Sequence, residues 1–317
     1  MIMEFQKPKI IISKCLEFDA CRYDGQLINN KYIKSLKEYI EFIPVCPEVE
    51  IGMGIPRDPI KIIQNNNDLS LYQESSGKDY TEKMNSFSKQ FLNSKSNVDG
   101  FILKAASPSC AISTSKIYLN KKNKIPIGKG PGLFTTQIIK NFPDHPKEEE
   151  KRLNNIFLRE HFFTSIFTIA DYRNVQSVDS LYKFHAKHKY LFMTYNQTLM
   201  RKMGKIAADN KGVPLQDVIE NYFKHLLLMF KKRSRYTSNI NTQMHILGYF
   251  KNELSSSEKS FFLRLLEDYR NKKINLGSIN SILYSWIIRF DDSYLKKQSY
   301  FNSFPKELIE NDISRFQ

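Results

Sequence analysis

The chain has 317 residues, 41% of them hydrophobic, and its 48 basic residues against 33 acidic ones give a net charge of +15. This length allows two domains of ordinary size, and the hydrophobic content excludes an intrinsically disordered chain. No stretch approaches the roughly 20 apolar residues of a membrane helix, and the N-terminus lacks the apolar core of a signal peptide, so we expect a cytoplasmic protein without membrane contact.

The first 110 residues predict alternating strands and helices. The β-branched run in KPKIIISKC predicts a buried strand that ends at Cys15, and NKYIKSLKEYIEF has the apolar spacing of an amphipathic helix. FIPVCPE predicts a second strand that stops at Pro47, and residues 52–67 predict a loop with at most a hairpin. YTEKMNSFSKQFLN predicts a helix with Thr81 as its cap, and VDGFILKAASPSC predicts a third strand leading to Cys110. This order predicts an α/β domain with a parallel, Rossmann-like sheet.

Three of the four cysteines follow predicted strands: Cys15, Cys46 and Cys110. Functional sites of open parallel sheets lie at the carboxyl ends of the strands, so we expect these thiols to meet at one edge. Three convergent thiolates suit a metal or an iron–sulfur cluster with one open coordination position, and Cys21 lies close enough in sequence to be a fourth ligand. The alternative is that each cysteine is a small buried core residue.

Several polar residues flank these cysteines and are candidates for the same edge. Glu48 lies two residues after Cys46, and Ser107 lies three residues before Cys110, so both could carry protons or bind a substrate there. An ordinary surface acid and an ordinary turn residue are the alternatives. The candidate substrate-binding donors are Arg22, Tyr23, Arg57 and Lys104.

Three segments together resemble the motifs of the thiouracil desulfidase family: ISKCLEFDACRYDGQ, VCPEVEIGMGIPRDP and LKAASPSCA. The resemblance spans roughly residues 8–150. Further along, FHAKHKYLFMTYN and the helical stretches after it resemble the YbgA-like helical domain that is found fused to this family. The resemblance implies an α/β desulfidase domain over residues 1–148 and an all-α helical domain over residues 149–317.

The resemblance implies a [4Fe-4S] cluster that is held by Cys15, Cys46 and Cys110 and leaves one iron open, with Cys21 as a non-ligand. It also implies catalytic roles for Glu48 and Ser107. Ala111 replaces the usual glycine after the third cysteine, and EFDA replaces the usual loop between the first two. Both departures concern the shape of the pocket and leave the three ligand positions intact.

The implied reaction removes sulfur from a thiolated uracil, such as 4-thiouridine free or in tRNA, and needs no net oxidation or reduction. A thiocarbonyl sulfur is soft and suits an open iron, whereas a carbonyl oxygen does not. Glu48 would serve as general base toward water or as acid toward the ring nitrogen, and Ser107 would orient the substrate, relay a proton or attack the carbon itself. The alternative function is a non-catalytic metal-binding or iron–sulfur sensor protein that contacts nucleic acid.

The second half predicts mostly helices and carries most of the positive charge, with 27 basic and 15 acidic residues over 151–317 against 21 and 18 over 1–150. A basic helical domain is typical of RNA binding, although a lysine-rich composition without a partner is the alternative. The candidate RNA-binding residues are Lys231, Lys232, Arg233 and Arg235, which could equally be the favourable cations of a helix C-terminus. His185 and His188 have the spacing of a metal pair but no third ligand nearby, which favours ordinary buried or surface histidines.

Overall fold

The computed structural model describes residues 4–65, 68–95, 97–209 and 212–310, and the chain divides into two compact units. The first unit runs to Ala170 and includes the segment from Glu307, and the second covers Asp171–Lys306. The division predicted from the resemblance, between residues 148 and 149, remains a proposal. The elements up to the division are β1 Lys9–Ser13, α1 Lys31–Leu36, β2 Glu41–Val45, α2 Pro47–Glu50, β3 Ile60–Asn65, β4 Asp68–Gln73, α3 Thr81–Asn93, β5 Gly100–Leu103, β6 Ser115–Tyr118, β7 Gly128–Gly130, α4 Leu133–Asn141, β8 Lys147–Glu149 and α5 Ile156–Tyr172.

A parallel sheet with the strand order β2-β1-β5-β8 confirms the predicted α/β class. β1, one of its two central strands, carries three isoleucines with no exposed surface, which is why the run in the sequence is continuous and not alternating. The carboxyl ends of β1, β2 and β5 lie at one edge of this sheet, because parallel strands share one direction. The loops that carry the cysteines leave from this edge.

A second sheet has the order β4-β3-β6-β7, with β3 antiparallel to β4 and parallel to β6. β3 lies inside residues 52–67, where the sequence predicted a loop with at most a hairpin, and β4 begins directly after them. Residues 66 and 67 of that prediction lie outside the described residues. One face of this sheet packs against α3 and α4 in a core that includes Ile62, Met84, Ile117 and Phe134. The other face carries Lys61, Tyr72, Lys116 and Lys129 together with the buried Ile63.

Two local predictions were wrong. The first helix was expected to run through NKYIKSLKEYIEF, but α1 ends at Leu36 because Glu41 and the residues after it pair with β1. Thr81 was expected to cap α3, but Tyr80 occupies the N-cap position and the Thr81 hydroxyl accepts a hydrogen bond from the Leu71 amide. At the first place, strand pairing takes residues that the local pattern assigned to a helix, and at the second, a backbone amide of β4 takes the hydroxyl that the pattern assigned to the cap.

The second unit is helical, as predicted, and its helices are α6 Val178–Ala208, α7 Leu215–Met229, α8 Tyr236–Leu247, α9 Ser256–Arg270 and α10 Leu276–Arg289. A further short helix, α11 Glu307–Glu310, belongs to the first unit. Asn196 has non-helical backbone angles inside α6, and its side chain accepts from the Leu199 amide, so it caps a new helical segment after the kink. In the part of the chain that is described, no helix has the length and apolar character to cross a membrane.

Candidate active site

The three predicted ligand cysteines lie on three loops at the carboxyl edge of the parallel sheet. Cys15 lies two residues beyond β1, and Cys46 is the N-cap residue of α2 directly after β2. Cys110 lies in the Ser-Pro-Ser-Cys loop after β5. All three cysteines and Cys21 are buried and free of disulfides.

Cys21 occupies the space between two of these cysteines. Its thiol hydrogen-bonds the thiols of Cys15 and Cys46, and the Cys15 contact raises the pKa of Cys21 to about 11, with burial adding to the effect and Cys46 opposing it. The pKa of Cys46 is raised by the Cys21 thiol and by burial. The Cys46 sulfur also lies 3.7 Å from the Cys21 carbonyl oxygen. The raised pKa values of Cys21 and Cys46 favour the protonated form of these two thiols.

Cys110 has a different environment, made of hydroxyl groups. Burial raises its pKa, and the side chains of Ser13 and Ser107 oppose this rise by hydrogen-bonding its sulfur. The Ser13 hydroxyl also accepts from the Lys104 amide at 3.0 Å, which ties the end of β1 to the end of β5.

Gly132 fixes the position of the Cys110 loop through close packing. A Cβ atom at this position would lie 2.3 Å from the carbonyl carbon of Ser109 and 2.7 Å from the Cys110 amide nitrogen. The Gly132 amide donates to the Ala111 carbonyl at 2.8 Å, and the Thr135 hydroxyl donates to the Cys110 carbonyl at 2.6 Å. Only glycine permits this approach of two backbones.

The described residues include no group of three or more His, Cys, Asp or Glu side chains arranged around a metal position. The sulfur atoms instead pair with thiols and hydroxyls, as protonated thiols do. The chemistry of the donor set nevertheless fits an iron–sulfur cluster, because four buried thiols share one sheet edge and thiolate is the ligand that such clusters require. Metal binding displaces the protons that these raised pKa values retain.

Glu48 lies at the centre of the polar contacts of this edge. One oxygen of its carboxylate accepts from the Ser109 hydroxyl at 2.9 Å, and the other accepts from Arg57 Nε at 2.8 Å and Nη2 at 2.6 Å. Arg57 also donates to the carbonyl of Cys21 at 3.1 Å, and its Nη2 lies 4.0 Å from the Cys46 sulfur. Glu48 is therefore connected to the Cys110 loop on one side and to the Cys21 and Cys46 loops on the other.

Ser107 has a structural contact besides its place near Cys110. Its hydroxyl oxygen accepts from the amides of Ser109 at 3.2 Å and Cys110 at 3.1 Å, which closes the turn that presents the thiol. The structure thus places Ser107 beside the Cys110 sulfur and Ser109 against the carboxylate of Glu48.

The predicted substrate-binding donors have different surroundings. Lys104 forms an ion pair with Glu150 at 2.9 Å, and Arg57 holds Glu48 as described above. Arg22 pairs with Asp24 at 3.2 Å within its own turn, with its guanidinium 5.5 Å from the Tyr23 ring centre.

Tyr23 is 46% exposed, and its backbone carbonyl accepts a hydrogen bond from the Arg57 amide at 2.8 Å. The substrate-binding role of all four donors remains a prediction. Of the four, Tyr23 alone carries an aromatic ring.

The predicted RNA-binding residues lie in the second unit. The basic run at residues 231–235 forms the link between α7 and α8, and Lys231, Lys232, Arg233 and Arg235 are all exposed. Because α7 ends at Met229, the run follows the helix C-terminus, where cations are also favoured by the helix dipole.

The sequence reasoning missed four residues of the site: Ser13, Ser109, Gly132 and Glu150. Ser109 stood inside the quoted Ser-Pro-Ser-Cys motif and could have been found from its spacing. Ser13 also stood in a quoted segment, two residues before Cys15, but its contact with Cys110 depends on the fold. Gly132 and Glu150 come from segments further along the chain, and the folded chain brings them to the Cys110 loop.

The first half of the chain is similar to known proteins. Residues 10–150 match the family model described as 2-thiouracil desulfurase. The uncharacterized protein YbbK of Bacillus subtilis is 33% identical over 108 residues, which cover 32% of this chain and 72% of YbbK. The chain belongs to the 2-thiouracil desulfurase family. Within this desulfurase family member, the matched region contains the four cysteines, Glu48 and Arg57.

The second half of the chain is similar to a different set of proteins. Residues 189–305 match DUF1722, a family of proteins of unknown function. The uncharacterized protein YbgA of Escherichia coli is 24% identical over 128 residues, covering 40% of this chain and 76% of YbgA. These matches confirm the resemblance to the YbgA-like domain.

A solved structure, that of the [4Fe-4S]-dependent thiouracil desulfidase TudS, is also similar. It is 25% identical, covers 49% of this chain and 98% of its own, and superimposes with a TM-score of 0.38. A TM-score this low supports no inference about the present chain.

Proposed function

We propose that this protein is a [4Fe-4S]-dependent desulfidase that removes sulfur from thiolated uracil, with 4-thiouridine, free or in tRNA, as the substrate. The family supports the desulfidase role. The observation that carries the rest is the carboxylate of Glu48, which is held at the cysteine edge by Arg57 and by Ser109 of the Cys110 loop. A buried acid fixed from two sides beside soft ligands is suited to proton transfer next to a bound sulfur compound.

Cys15, Cys46 and Cys110 would hold the cluster, because each follows a different strand and all three are buried. Such a cluster supplies an open iron that attracts a thiocarbonyl sulfur and polarises the carbon bonded to it. Cys21, whose thiol contacts Cys15 and Cys46, would keep its proton and lie beside the cluster as a non-ligand.

The residues of the chain account for the proton movements. Hydrolysis adds the oxygen of water to the carbon that carried sulfur, and sulfide leaves with one of the protons, so the substrate is neither oxidised nor reduced. Glu48 accepts the proton of the attacking water through an oxygen that Arg57 orients. Ser107 and Ser109 are the nearest hydroxyls with defined contacts, at the sulfur of Cys110 and at Glu48 respectively.

Substitutions of the two serines distinguish their roles. Ser107→Ala removes the acceptor that closes the turn and a hydroxyl beside Cys110, so we expect a loss of bound iron together with activity. Ser109→Ala removes only the donor to Glu48, so we expect full iron content and a roughly tenfold lower turnover, the effect of one charge-assisted hydrogen bond. Full activity of both variants would remove the serines from the proposed site.

The central experiment is anaerobic reconstitution with iron and sulfide, followed by incubation with 4-thiouridine while the thiocarbonyl absorbance is recorded. We expect cluster-dependent loss of this absorbance and formation of uridine. Cys46→Ser should lose both cluster absorption and turnover, whereas Glu48→Gln should keep the cluster and lose turnover by at least about 100-fold. An intact cluster without turnover on any thiolated uracil would favour the sensor alternative.

We further propose that the basic run at residues 231–235 contacts tRNA. Charge reversal at residues 231–233 should weaken activity on thiolated tRNA and leave activity on the free nucleoside unchanged. Charge reversal at Arg201, Lys202 and Lys205, which are exposed on α6, is the matched control. Equal loss on nucleoside and tRNA would contradict this division of labour between the units.

A further inference from the structure

The outer face of the second sheet carries a row of lysines. Lys61 of β3 pairs with Tyr72 of β4, and Lys116 of β6 pairs with Lys129 of β7. The β3–β6 register aligns Ile62 with Ile117, so Lys61 and Lys116, one residue earlier in each strand, are also neighbours. The row across the four strands is therefore Tyr72, Lys61, Lys116 and Lys129.

This row lies on the side of the sheet that faces away from the core. Ile62 and Ile117, which alternate with the lysines, are buried against α3 and α4. Lys116 and Lys129 are exposed, and Lys61 is half-buried. Because side chains alternate between the two faces of a strand, the three lysines project from the opposite face.

The loop between β6 and β7 extends the same basic surface. It contains Lys121, Lys122 and Lys124, and its Leu119, Ile125 and Ile127 are 55%, 79% and 52% exposed. Lys121 lies over the Tyr72 ring at 4.4 Å, and Lys61 lies over the Tyr118 ring at 5.4 Å. Basic groups and aromatic rings therefore alternate on one surface, which we call the lysine face.

Few acidic residues balance this charge. Glu74 forms an ion pair with Lys61, and Lys124 also lowers the pKa of Glu74. Asp68, at the far end of β4, is a second acid on the same side of the sheet, and Asp79, which forms a β-bridge with Tyr72, is a third acid beside the row. From Gly100 to Pro143 the sequence has no Asp or Glu but has seven lysines, which are Lys104, Lys116, Lys121, Lys122, Lys124, Lys129 and Lys140.

Like charges directly opposite each other on neighbouring strands destabilise a sheet. Lys116 and Lys129 are such a pair, and Lys61 extends the row. An arrangement that costs stability in the free protein is compensated when a polyanion binds across it. Aromatic rings beside basic side chains are the usual composition of surfaces that bind RNA strands.

We propose that the lysine face binds the phosphate backbone of the RNA substrate, so that the desulfidase unit itself has an RNA contact in addition to the basic run of the second unit. The choice of RNA as the polyanion rests on the proposed function. The position suits this role, because Lys61 lies four residues after Arg57 and an extended chain of that length spans at most about 14 Å. RNA bound on this face thus passes close to the site that contains Glu48.

The test measures binding without turnover, using the full-length protein and an unmodified, sulfur-free tRNA transcript in fluorescence anisotropy over a range of salt concentrations. Lys116→Gln combined with Lys129→Gln removes the exposed pair. Each lost phosphate contact lowers the salt slope by about 0.7 to 0.9. Extrapolated from about 1 M salt, the loss of two contacts should weaken binding about 25- to 60-fold at 0.1 M salt. Its turnover of free 4-thiouridine should equal that of the wild type.

A matched control removes the same charge from the other side of the sheet. Lys83 and Lys89 are exposed on α3, which packs on the core face, so Lys83→Gln with Lys89→Gln should leave the affinity and the salt slope nearly unchanged. Equal losses in both double variants would overturn the proposal, because net charge alone would then explain the binding. Unchanged binding in the Lys116 and Lys129 variant would overturn it directly.

The exposed apolar residues of the loop between β6 and β7 could also contact an anionic membrane, which a third measurement tests. Sedimentation with vesicles of phosphatidylcholine and phosphatidylserine tests an anionic membrane, and binding to vesicles but not to tRNA would overturn the RNA assignment. The proposed function is tested separately. If the protein binds tRNA through this face but converts no thiolated uracil, the RNA contact is retained and the desulfidase proposal is wrong.

Discussion

Replacement of Arg57 tests whether the site depends on a buried ion pair. Its side chain is 4% exposed and that of Glu48 is 12% exposed, so neither charge is solvated by bulk water. Arg57→Met removes the two hydrogen bonds to the carboxylate and those to the carbonyls of Cys21 and Gly54. Glu48 is then left with the Ser109 hydroxyl as its remaining donor among the described contacts.

Removal of one partner from a buried pair costs about 3 to 5 kcal/mol, because the other charge stays buried without compensation. Glu48→Gln in the same chain removes that charge, so the double variant should recover on the order of 2 kcal/mol relative to the sum of the single variants. The exposed pair of Lys14 and Asp19, at 2.8 Å, is the matched control, and Lys14→Met should cost less than about 1 kcal/mol.

Hydrogen exchange followed by mass spectrometry is the suitable assay, because a chain with two units need not unfold in one step. Hydrogen exchange of the amides of residues 46–57 reports the opening of this site. The fluorescence of the single tryptophan, Trp286, reports unfolding of the second unit separately. The reasoning is refuted if Arg57→Met accelerates exchange no more than Lys14→Met does. It is also refuted if the effects of the Arg57 and Glu48 substitutions are simply additive.

Three further predictions follow from close packing, buried histidines and a helix cap. Gly132→Ala should cost about 1 to 3 kcal/mol and lower the iron content after reconstitution, whereas Gly128→Ala, whose added Cβ would meet nothing within 4 Å, should do neither. Burial lowers the pKa of both His145 and His185 to about 4, so the folded state binds fewer protons than the unfolded state. The free energy of unfolding should therefore fall as the pH falls from about 6.5 to 4, by on the order of 3 kcal/mol for each histidine. Unfolding midpoints of the His→Gln variants over this pH range measure this loss. Asn196→Ala removes a helix cap and should cost about 1 kcal/mol in the tryptophan-detected urea transition.

The parallel sheet could be predicted because its signal is local. A buried strand in a parallel sheet is covered on both faces, and the uninterrupted isoleucines of β1 reflect this directly. The second sheet could not be predicted in the same way. Its β3 and β6 pair Ile62 with Ile117 across 55 residues, and a separation of this kind leaves no periodic pattern in either segment.

The motifs indicated which residues belong to the candidate site, but they did not indicate which residues these side chains contact. Arg57 was predicted to bind substrate, which remains a prediction, and the structure adds a contact that the motif did not indicate, the ion pair with Glu48. Lys104 was expected in the same role, which is likewise untested, and it pairs with Glu150, 46 residues further along the chain. The types of these side chains indicated a polar site, while the choice of partner depended on which loops meet at the sheet edge.

The histidines of the second unit show how folded context decides between two interpretations of one pattern. His185 and His188 have metal-ligand spacing, yet the His188 ring bonds to Asp171 through Nε2 at 2.8 Å and to the Ser299 hydroxyl through Nδ1 at 2.7 Å. Both ring nitrogens are thus engaged, and burial lowers the pKa of His188, which agrees with a neutral ring that donates to the carboxylate and accepts from the hydroxyl.

This order of groups is that of a serine hydrolase triad, but its location argues against catalysis. Ser299 is 2% exposed and His188 is 3% exposed, so a substrate has no access to the hydroxyl. The same segment bonds again to α6, where the Ser299 amide donates to the Lys187 carbonyl at 3.0 Å and the Gln298 side chain donates to the Ala186 carbonyl at 2.8 Å. Side-chain and backbone bonds that all join one segment to one helix are the contacts of a structural attachment, and they account for a neutral, fully bonded histidine without a metal.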